Sequence, residues 1–283
     1  PRHRCRLRPI ATPAGNESVD ADLIPAMYAL ETRRLSFLPI LLPHALIQRP
    51  GHPPTLQIYS PKILPLRQAQ KQFPGRIRKL SLRPSAPFQL RIGQRLLITS
   101  DHRVVSSKDR SIPRLKIRAG PAFGSGEHAT TQLCLRYLTQ LLLDHPKSGP
   151  MVLDLGCGSG ILALASAKFG AHTLGWDLDP TAIQEAQRNA KVNRLTSRVL
   201  FQIKDALRAP LPKADLIVAN LYDSLLLHLL PRLEKHRKAG TRLVLSGILQ
   251  GQENTILRTS RKLGWKLQRR GRIGRWYCLQ FQS

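Results

Sequence analysis

Carboxylates and cysteines are both scarce in this chain. Asp and Glu total 17 against 45 Lys and Arg, a formal charge of +28 over 283 residues. So large an excess argues for work beside polyanions such as RNA or ribosomes, or for a generally basic proteome. The positive charge runs from Arg2 to Arg275, so it marks no single binding face. The four cysteines, Cys5, Cys134, Cys157 and Cys278, show no C-x-x-C spacing and no histidine cluster. A disulfide scaffold and a structural zinc site are thereby excluded, and a reduced cytoplasmic protein is expected. Long apolar runs are missing as well. Ser36 to Ile47 is broken by Pro39 and Pro43, so no membrane span is expected. Internal repeats and low-complexity tracts are also absent.

The length suffices for one catalytic domain of about 200 residues and an accessory segment. Residues 1–54 are rich in Pro and Arg, with one expected helix around Leu23 to Leu35, and read as poorly structured. The opening Pro1 to Asn16 is Arg-rich and acid-free, as transit peptides are, a signal of low specificity. Residues 55–86 read as a small β-α-β accessory unit: a strand at Leu56 to Tyr59, Ser60 and Pro61 opening a helix that Pro74-Gly75 ends, and a strand at Ile77 to Leu82. Residues 87–283 form the catalytic domain, entered by a strand within Leu90 to Ser100.

From Ala129 onward the apolar periodicity alternates between strand and helix. A helix with Cys134, Tyr137, Leu138, Leu141 and Leu142 on its apolar face comes first. Strands are expected at Met151–Leu155, His172–Asp177, Val199–Ile203, Ala214–Ala219 and Arg242–Ser246, with helices between them. The end, Trp265–Arg270 and Arg275–Phe281, has no room for a crossover helix and reads as an antiparallel hairpin. The fold class is therefore α/β, a mostly parallel Rossmann-like sheet closed by that hairpin.

The most informative segment is Val152 to Gly160, VLDLGCGSG, followed at the next strand end by Trp176-Asp177-Leu178-Asp179-Pro180. Glycine is needed at Gly156, Gly158 and Gly160 because the chain must turn sharply and let a ligand approach bare backbone. Gly158 to Ala163 also fits the G-x-G-x-x-A pattern of dinucleotide folds, so three readings stand: S-adenosylmethionine, a nicotinamide or flavin nucleotide, and a ligand-free turn. Two carboxylates separate them. Asp154 stands two residues before the first glycine, where it can help hold the ammonium of a methionine-like cofactor. Asp177, 21 residues after Gly156, suits ribose hydroxyls.

Two further blocks stand out. Phe123-Gly124-Ser125-Gly126-Glu127-His128-Ala129-Thr130-Thr131 reads as a loop opening a helix, and Val218-Ala219-Asn220 sets an amide at a strand tip. Ligands in open α/β sheets bind outside such tips, so Asn220, Asp177 and the glycine loop should converge. Together, FGSGEHATT, DLGCGSGILA, GWDLDPTA, ANLYDSLLLHLLPRL and LVLSGIL resemble the ribosomal protein L11 methyltransferase family over roughly Ile92 to Ser283. That family is a class I S-adenosylmethionine-dependent group.

The resemblance implies a protein N-methyltransferase acting on lysine or N-terminal amines of ribosomal protein L11 or another basic protein. RNA methylation and a non-catalytic ribosome-associated role are the alternatives. It implies cofactor contacts at Thr131, Gly156, Asp177 and Asn220, with Gly158 along the methionine portion. Asn220 would stand between the sulfonium and the incoming amine. Asp205 is a candidate partner of the adenine amino group or a turn carboxylate, and Phe123 and Tyr222 are candidate shields of the sulfonium or core aromatics. Glu127 and His128 are a candidate proton-accepting pair or an exposed loop pair. In the family a ferredoxin-like N-terminal domain grips the substrate, and here only the β-α-β at Leu56 to Leu82 is evident as half of one.

Overall fold

The computed structural model describes residues 27–33, 44–47, 55–60, 63–80, 89–100, 111–118, 126–145 and 148–283. The chain forms two compact units, Pro1–Arg83 and Pro84–Ser283.

The described part of the first unit is a four-stranded sheet with one helix. Its strands are β1 (Met27–Thr32), β2 (His44–Ile47), β3 (Thr55–Ser60) and β4 (Arg76–Leu80), with α1 (Ile63–Gln72) between the last two. Leu56 and Ile58 are two apart, hence on one face of β3, and Ile58 pairs with Leu30 of β1. Leu66 and Phe73, two helical turns apart, complete this buried cluster.

Two expectations are corrected here. The helix expected around Leu23 to Leu35 is not formed across its described part, because Met27–Thr32 is a strand paired antiparallel to both β3 and β4. Sheet pairing on two sides outweighs a weak local helical pattern. The segment 1–54, read as poorly structured, supplies two of the four strands, β1 and β2. The order β2-β3-β1-β4 sets β1 between the strands of the β-α-β, as in a ferredoxin-like sheet.

The second unit holds a small and a large sheet. The region Leu90 to Ser100 is not one strand but a hairpin, β5 (Gln89–Ile92) and β6 (Leu96–Thr99), joined by β7 (Arg114–Lys116) in the order β5-β6-β7. Gly93, at φ +56°, lets the chain reverse there. Then come α2 (Ala129–Leu143), β8 (Met151–Leu155), α3 (Ile161–Lys168), β9 (His172–Asp177), α4 (Pro180–Asn193), β10 (Val199–Ile203), β11 (Leu216–Asn220), α5 (Asp223–His236), β12 (Arg242–Leu249), α6 (Glu253–Lys262), β13 (Lys266–Ile273) and β14 (Trp276–Gln282).

The large sheet has the order β10-β9-β8-β11-β12-β14-β13. β8 to β12 are mutually parallel where they pair, and β14 runs antiparallel to both β12 and β13. α2, α3 and α4 cover one face with one core cluster, and α5 and α6 cover the other with a second. The central strands are apolar on both faces for that reason. The order reverses between β8 and β11, and open α/β sheets bind their ligands beyond the C-terminal ends of the strands at such a reversal.

Two asparagines on α4 tie down its surroundings, Asn189 the loop after β8 and Asn193 the strand β7. Asn189, fully buried, donates from Nδ2 to the Ser159 carbonyl at 3.0 Å and accepts at Oδ1 from the Arg118 amide at 3.2 Å. One turn later Asn193 both accepts from and donates to the Lys116 main chain. Replacing Asn189 by Ala removes both of these hydrogen bonds from a buried site and should lower stability by about 1–3 kcal/mol. Urea unfolding checks this; a loss under about 0.5 kcal/mol contradicts the bracing role.

Candidate active site

The loop after β8 turns on three glycines with left-handed backbone, Gly156 at φ +72°, Gly158 at +54° and Gly160 at +79°. Bare backbone is also required by space. A Cβ on Gly156 would lie 2.4 Å from Leu221 Cδ2, and one on Gly160 would lie 2.7 Å from Phe201 Cζ and 2.9 Å from Ala186 Cβ. The turn swings main-chain amides toward β9. Gly156 and Cys157 both donate to the Trp176 carbonyl, at 2.8 and 3.0 Å. Gly158 donates to Asp177 Oδ2 at 2.8 Å, and the Asp179 amide donates to Oδ1 at 3.0 Å.

Asp177 is thus locked at the tip of β9. Each oxygen takes one amide and keeps a further lone pair, enough for two hydroxyl donors. Burial raises its pKa above the ordinary carboxylate value, while the Asp179 and Gly158 amides oppose the rise. Asp154 is more extreme. It is fully buried on β8, its Oδ2 accepts from the Ala163 amide in the first turn of α3 at 2.9 Å, and Oδ1 has no partner among the described residues. Burial first, then the Asp177 charge, pushes its pKa up to about 7. An unmatched carboxylate oxygen beside a glycine cradle is what a cationic amino-acid ligand would fit.

Across the sheet reversal, Asn220 ends β11 and its Nδ2 reaches Thr131 Oγ1 in the first turn of α2 at 3.5 Å, a long hydrogen bond. These two residues, 89 positions apart, therefore meet at the ligand edge. The strand tip is held from β12: the Leu221 amide donates to the Ser246 carbonyl at 3.1 Å, and Ser246 Oγ donates to the Tyr277 carbonyl at 2.9 Å. Gly247, at φ +87°, has the Leu221 carbonyl where a Cβ would stand, 2.2 Å away.

The other candidates take local roles. Asp205 Oδ1 accepts from the Leu207 amide at 2.8 Å and Oδ2 lies 3.5 Å from Arg208 Nε, so this carboxylate caps its own turn. Its neighbour Lys204 donates through its amide to the Asp177 carbonyl, which keeps the turn beside β9. His128 is the N-cap of α2, its Nδ1 accepting from the Thr130 amide at 3.4 Å and lying 2.7 Å from Thr130 Oγ1. Burial lowers its pKa below the ordinary histidine value, which favours the neutral ring. Tyr222 is the N-cap position of α5. Phe123 lies outside the described residues. Cys157 is buried, and burial with the nearby Asp154 charge raises its thiol well above the usual value, so it packs rather than reacts.

Sequence reasoning overlooked Leu221, which fills the space over Gly156, and Asn189, which holds Ser159. It also overlooked the Trp176 carbonyl, which accepts two loop amides. Only Trp176 and Leu221 had a signal, standing next to Asp177 and Asn220. Among the described residues, no group of three His, Cys, Asp or Glu could hold a metal ion, and no helix is long and apolar enough to cross a membrane.

The Asp154 pKa sets the sign of a pH effect. An unfolded Asp titrates near 3.9, so between about pH 4 and pH 7 the native state holds a proton that the unfolded chain has lost. Stability contributed by this site therefore falls as pH rises through that window and is flat above it. Asp154→Asn removes the titration. The variant should gain stability relative to wild type on going from pH 5 to pH 8, as read by urea unfolding; a constant difference contradicts the assignment.

Comparison with known proteins identifies the family of the chain. The family model described as Ribosomal protein L11 methyltransferase (PrmA) matches residues 86–283. A ribosomal protein L11 methyltransferase of Xylella fastidiosa (strain Temecula1 / ATCC 700964) is 42% identical over 174 residues, covering 60% of this chain and 56% of the relative. One from Thermus thermophilus is 38% identical over 169 residues, covering 59% of this chain and 64% of the relative. These alignments thus span between half and two thirds of the curated relatives' own length. The crystal structure of a ribosomal protein L11 methylase from Lactobacillus delbrueckii subsp. bulgaricus aligns with a TM-score of 0.59 and 31% identity, over 68% of this chain and 97% of that one. With a match over most of its length, on the sheet and loops just described, the chain belongs to the ribosomal protein L11 methyltransferase family.

Proposed function

We propose that the protein is an S-adenosylmethionine-dependent N-methyltransferase that modifies amino groups of ribosomal protein L11 or a similarly basic protein. The observation that carries this reading is the meeting of Asn220 and Thr131 beside a glycine loop anchored on Asp177. When bound, the cofactor supplies a methyl group on a positively charged sulfur, already activated toward an amine. The chain's own task is therefore binding, orientation and desolvation.

Asp177 has lone pairs left for the ribose hydroxyls, and Asp154 offers charge to the ammonium. Gly156 and Gly158 present main chain without side chains along the methionine portion. Asn220, its Nδ2 turned to Thr131, keeps Oδ1 to accept from the substrate amine and aim its lone pair. His128 engages Nδ1 in its helix cap, and we assign the proton of the substrate ammonium to water. Activity should accordingly rise with pH toward the amine pKa, about 8 for an α-amino group and above 10 for lysine. Asp205 and Phe123 stay candidates for the adenine end.

The charge of +28 favours RNA methylation as the second reading. Incubation with radiolabelled cofactor and host ribosomes, followed by separation of RNA from protein, distinguishes them: label in a ribosomal protein is expected, and label in RNA overturns the proposal. Cofactor binding without any label would mean a binding protein that keeps the fold.

Asp177→Ala should weaken S-adenosylhomocysteine binding by about 1.5–3 kcal/mol in calorimetry, since a charged acceptor is lost; unchanged affinity removes Asp177 from the site. Asn220→Ala should lower single-turnover methylation more than it lowers that affinity. Loss of affinity or of thermal stability alone would show that Asn220 has no part in aligning the amine.

A further inference from the structure

After Glu253 the chain carries no Asp or Glu, and eight Lys or Arg lie between Asn254 and Ser283. The fold brings these cations to one flank of the large sheet. Arg258, Arg261 and Lys262 share one exposed face of α6, at spacings of three and four residues. Lys266, Arg269, Arg270 and Arg272 are exposed along β13, which forms the edge of the sheet, and Arg275 is exposed in the turn that follows. Eight of the 45 Lys and Arg therefore lie together here in space, with one carboxylate, Glu253, beside them.

Three of these arginines are held rather than loose. The Arg270 guanidinium lies 4.6 Å from the Tyr277 ring centre and donates to Glu253 Oε1 at 3.0 Å. Arg272 lies 6.0 Å from the same ring, and Arg269 lies 4.6 Å from the ring of Tyr137 on the other face of the strand. Stacking fixes the plane of a guanidinium while leaving N–H edges to donate, the arrangement that suits phosphate. The strip also has a direction. β13 begins at Lys266 opposite Gln282 and ends at Ile273 opposite Trp276, and Trp276 pairs with Leu249 at the C-terminal end of β12. That end is the ligand edge of the sheet. The Trp276 ring touches His128, three residues before Thr131, with centres 4.9 Å apart.

We propose that the α6–β13 flank is a docking surface for the phosphate backbone of RNA, running up to the edge where the methyl acceptor enters. An extended strip, about 26 Å for an eight-residue strand, fits a chain-like polyanion better than a small anion. The choice of RNA over other polyanions rests on the ribosomal-substrate reading proposed above. Charges on an edge strand also discourage aggregation. That need does not account for the three exposed cations on α6 or for the stacking on Tyr277 and Tyr137.

The test compares two full-length variants with equal loss of charge. One carries Arg258→Gln, Arg261→Gln, Arg272→Gln and Arg275→Gln, which spare the Arg270–Glu253 pair; the other carries Lys168→Gln, Arg188→Gln, Lys191→Gln and Lys213→Gln, all exposed elsewhere on the same unit. The probe is a fluorescein-labelled single-stranded RNA of mixed sequence, about 20 nucleotides long, followed by anisotropy across a salt series. The flank variant should bind at least about ten-fold more weakly, with the slope of log affinity against log salt reduced by about 2–3, and the control should change less than about three-fold. Equal weakening of both variants, or an unaltered affinity together with new aggregation of the flank variant, overturns the proposal. So does displacement of the RNA by polyglutamate as readily as by unlabelled RNA. S-adenosylhomocysteine affinity and methylation of an isolated acceptor protein without RNA should stay at wild-type level in the flank variant. Their loss in wild type would count against the methyltransferase reading and leave the RNA result standing.

Discussion

The hydrogen bond from the Gly158 amide to the Asp177 carboxylate is the constraint on which the ligand edge depends. It forms only because the chain leaves β8 through left-handed glycines, which turn consecutive amides toward β9. Once Gly156 and Cys157 have matched the Trp176 carbonyl, the next amide reaches the carboxylate one residue further along. The loop and the strand tip then set each other's position. A side chain at Gly156 or Gly160 would collide with Leu221 or Phe201, so the same packing that closes the core beneath the loop keeps its upper surface bare. Bare backbone next to a fixed carboxylate is what a nucleoside cradle requires.

Electrostatics at that edge run against the rest of the molecule. The chain is strongly basic, yet a buried Asp154 and a half-buried Asp177 are set close together with their pKa values raised by burial. Burying a carboxylate oxygen without a partner is unfavourable in the free protein. A cationic ligand would relieve it, and a sulfonium with an adjoining ammonium is such a ligand. Eight of the 45 Lys and Arg lie instead on α6, β13 and the turn that follows, exposed at the sheet edge. Local sign, rather than net charge, governs what the crevice accepts.

The large sheet was legible because each of its elements has a strong local signature. Val152 to Gly160 shows an apolar strand followed by glycines, and the missing crossover after Trp265 permits only a hairpin. Alternating periodicities located β8, β9 and β10 at the residues where they stand. The hairpin reverses more tightly than composition suggested, at Gly274 and Arg275 rather than across Gly271 to Gly274, because β13 continues through Gly271. The first unit was much less legible: β1 owes its conformation to pairing with β3 and β4, partners far away in sequence, and a short strand without caps carries little local information. Within the site, residue types exposed the carboxylates and amides but not their commitments. Asp205 is engaged with its own turn and His128 with its own helix, uses that depend on backbone direction. Asn189 was invisible for the converse reason, since an asparagine inside a helix reads as surface until its amide is seen spanning two loops.

The central claim is that one edge, made by the glycine loop, the tip of β9 and the tip of β11, binds the methyl-donor cofactor. Hydrogen exchange measured with and without saturating S-adenosylhomocysteine tests it most directly, because ligand binding slows exchange where it suppresses local opening. The account predicts added protection in Gly156–Ile161, Asp177–Thr181 and Asn220–Tyr222 together, with little change along β13. Protection confined to other segments, or none at a ligand concentration that saturates binding, would contradict it.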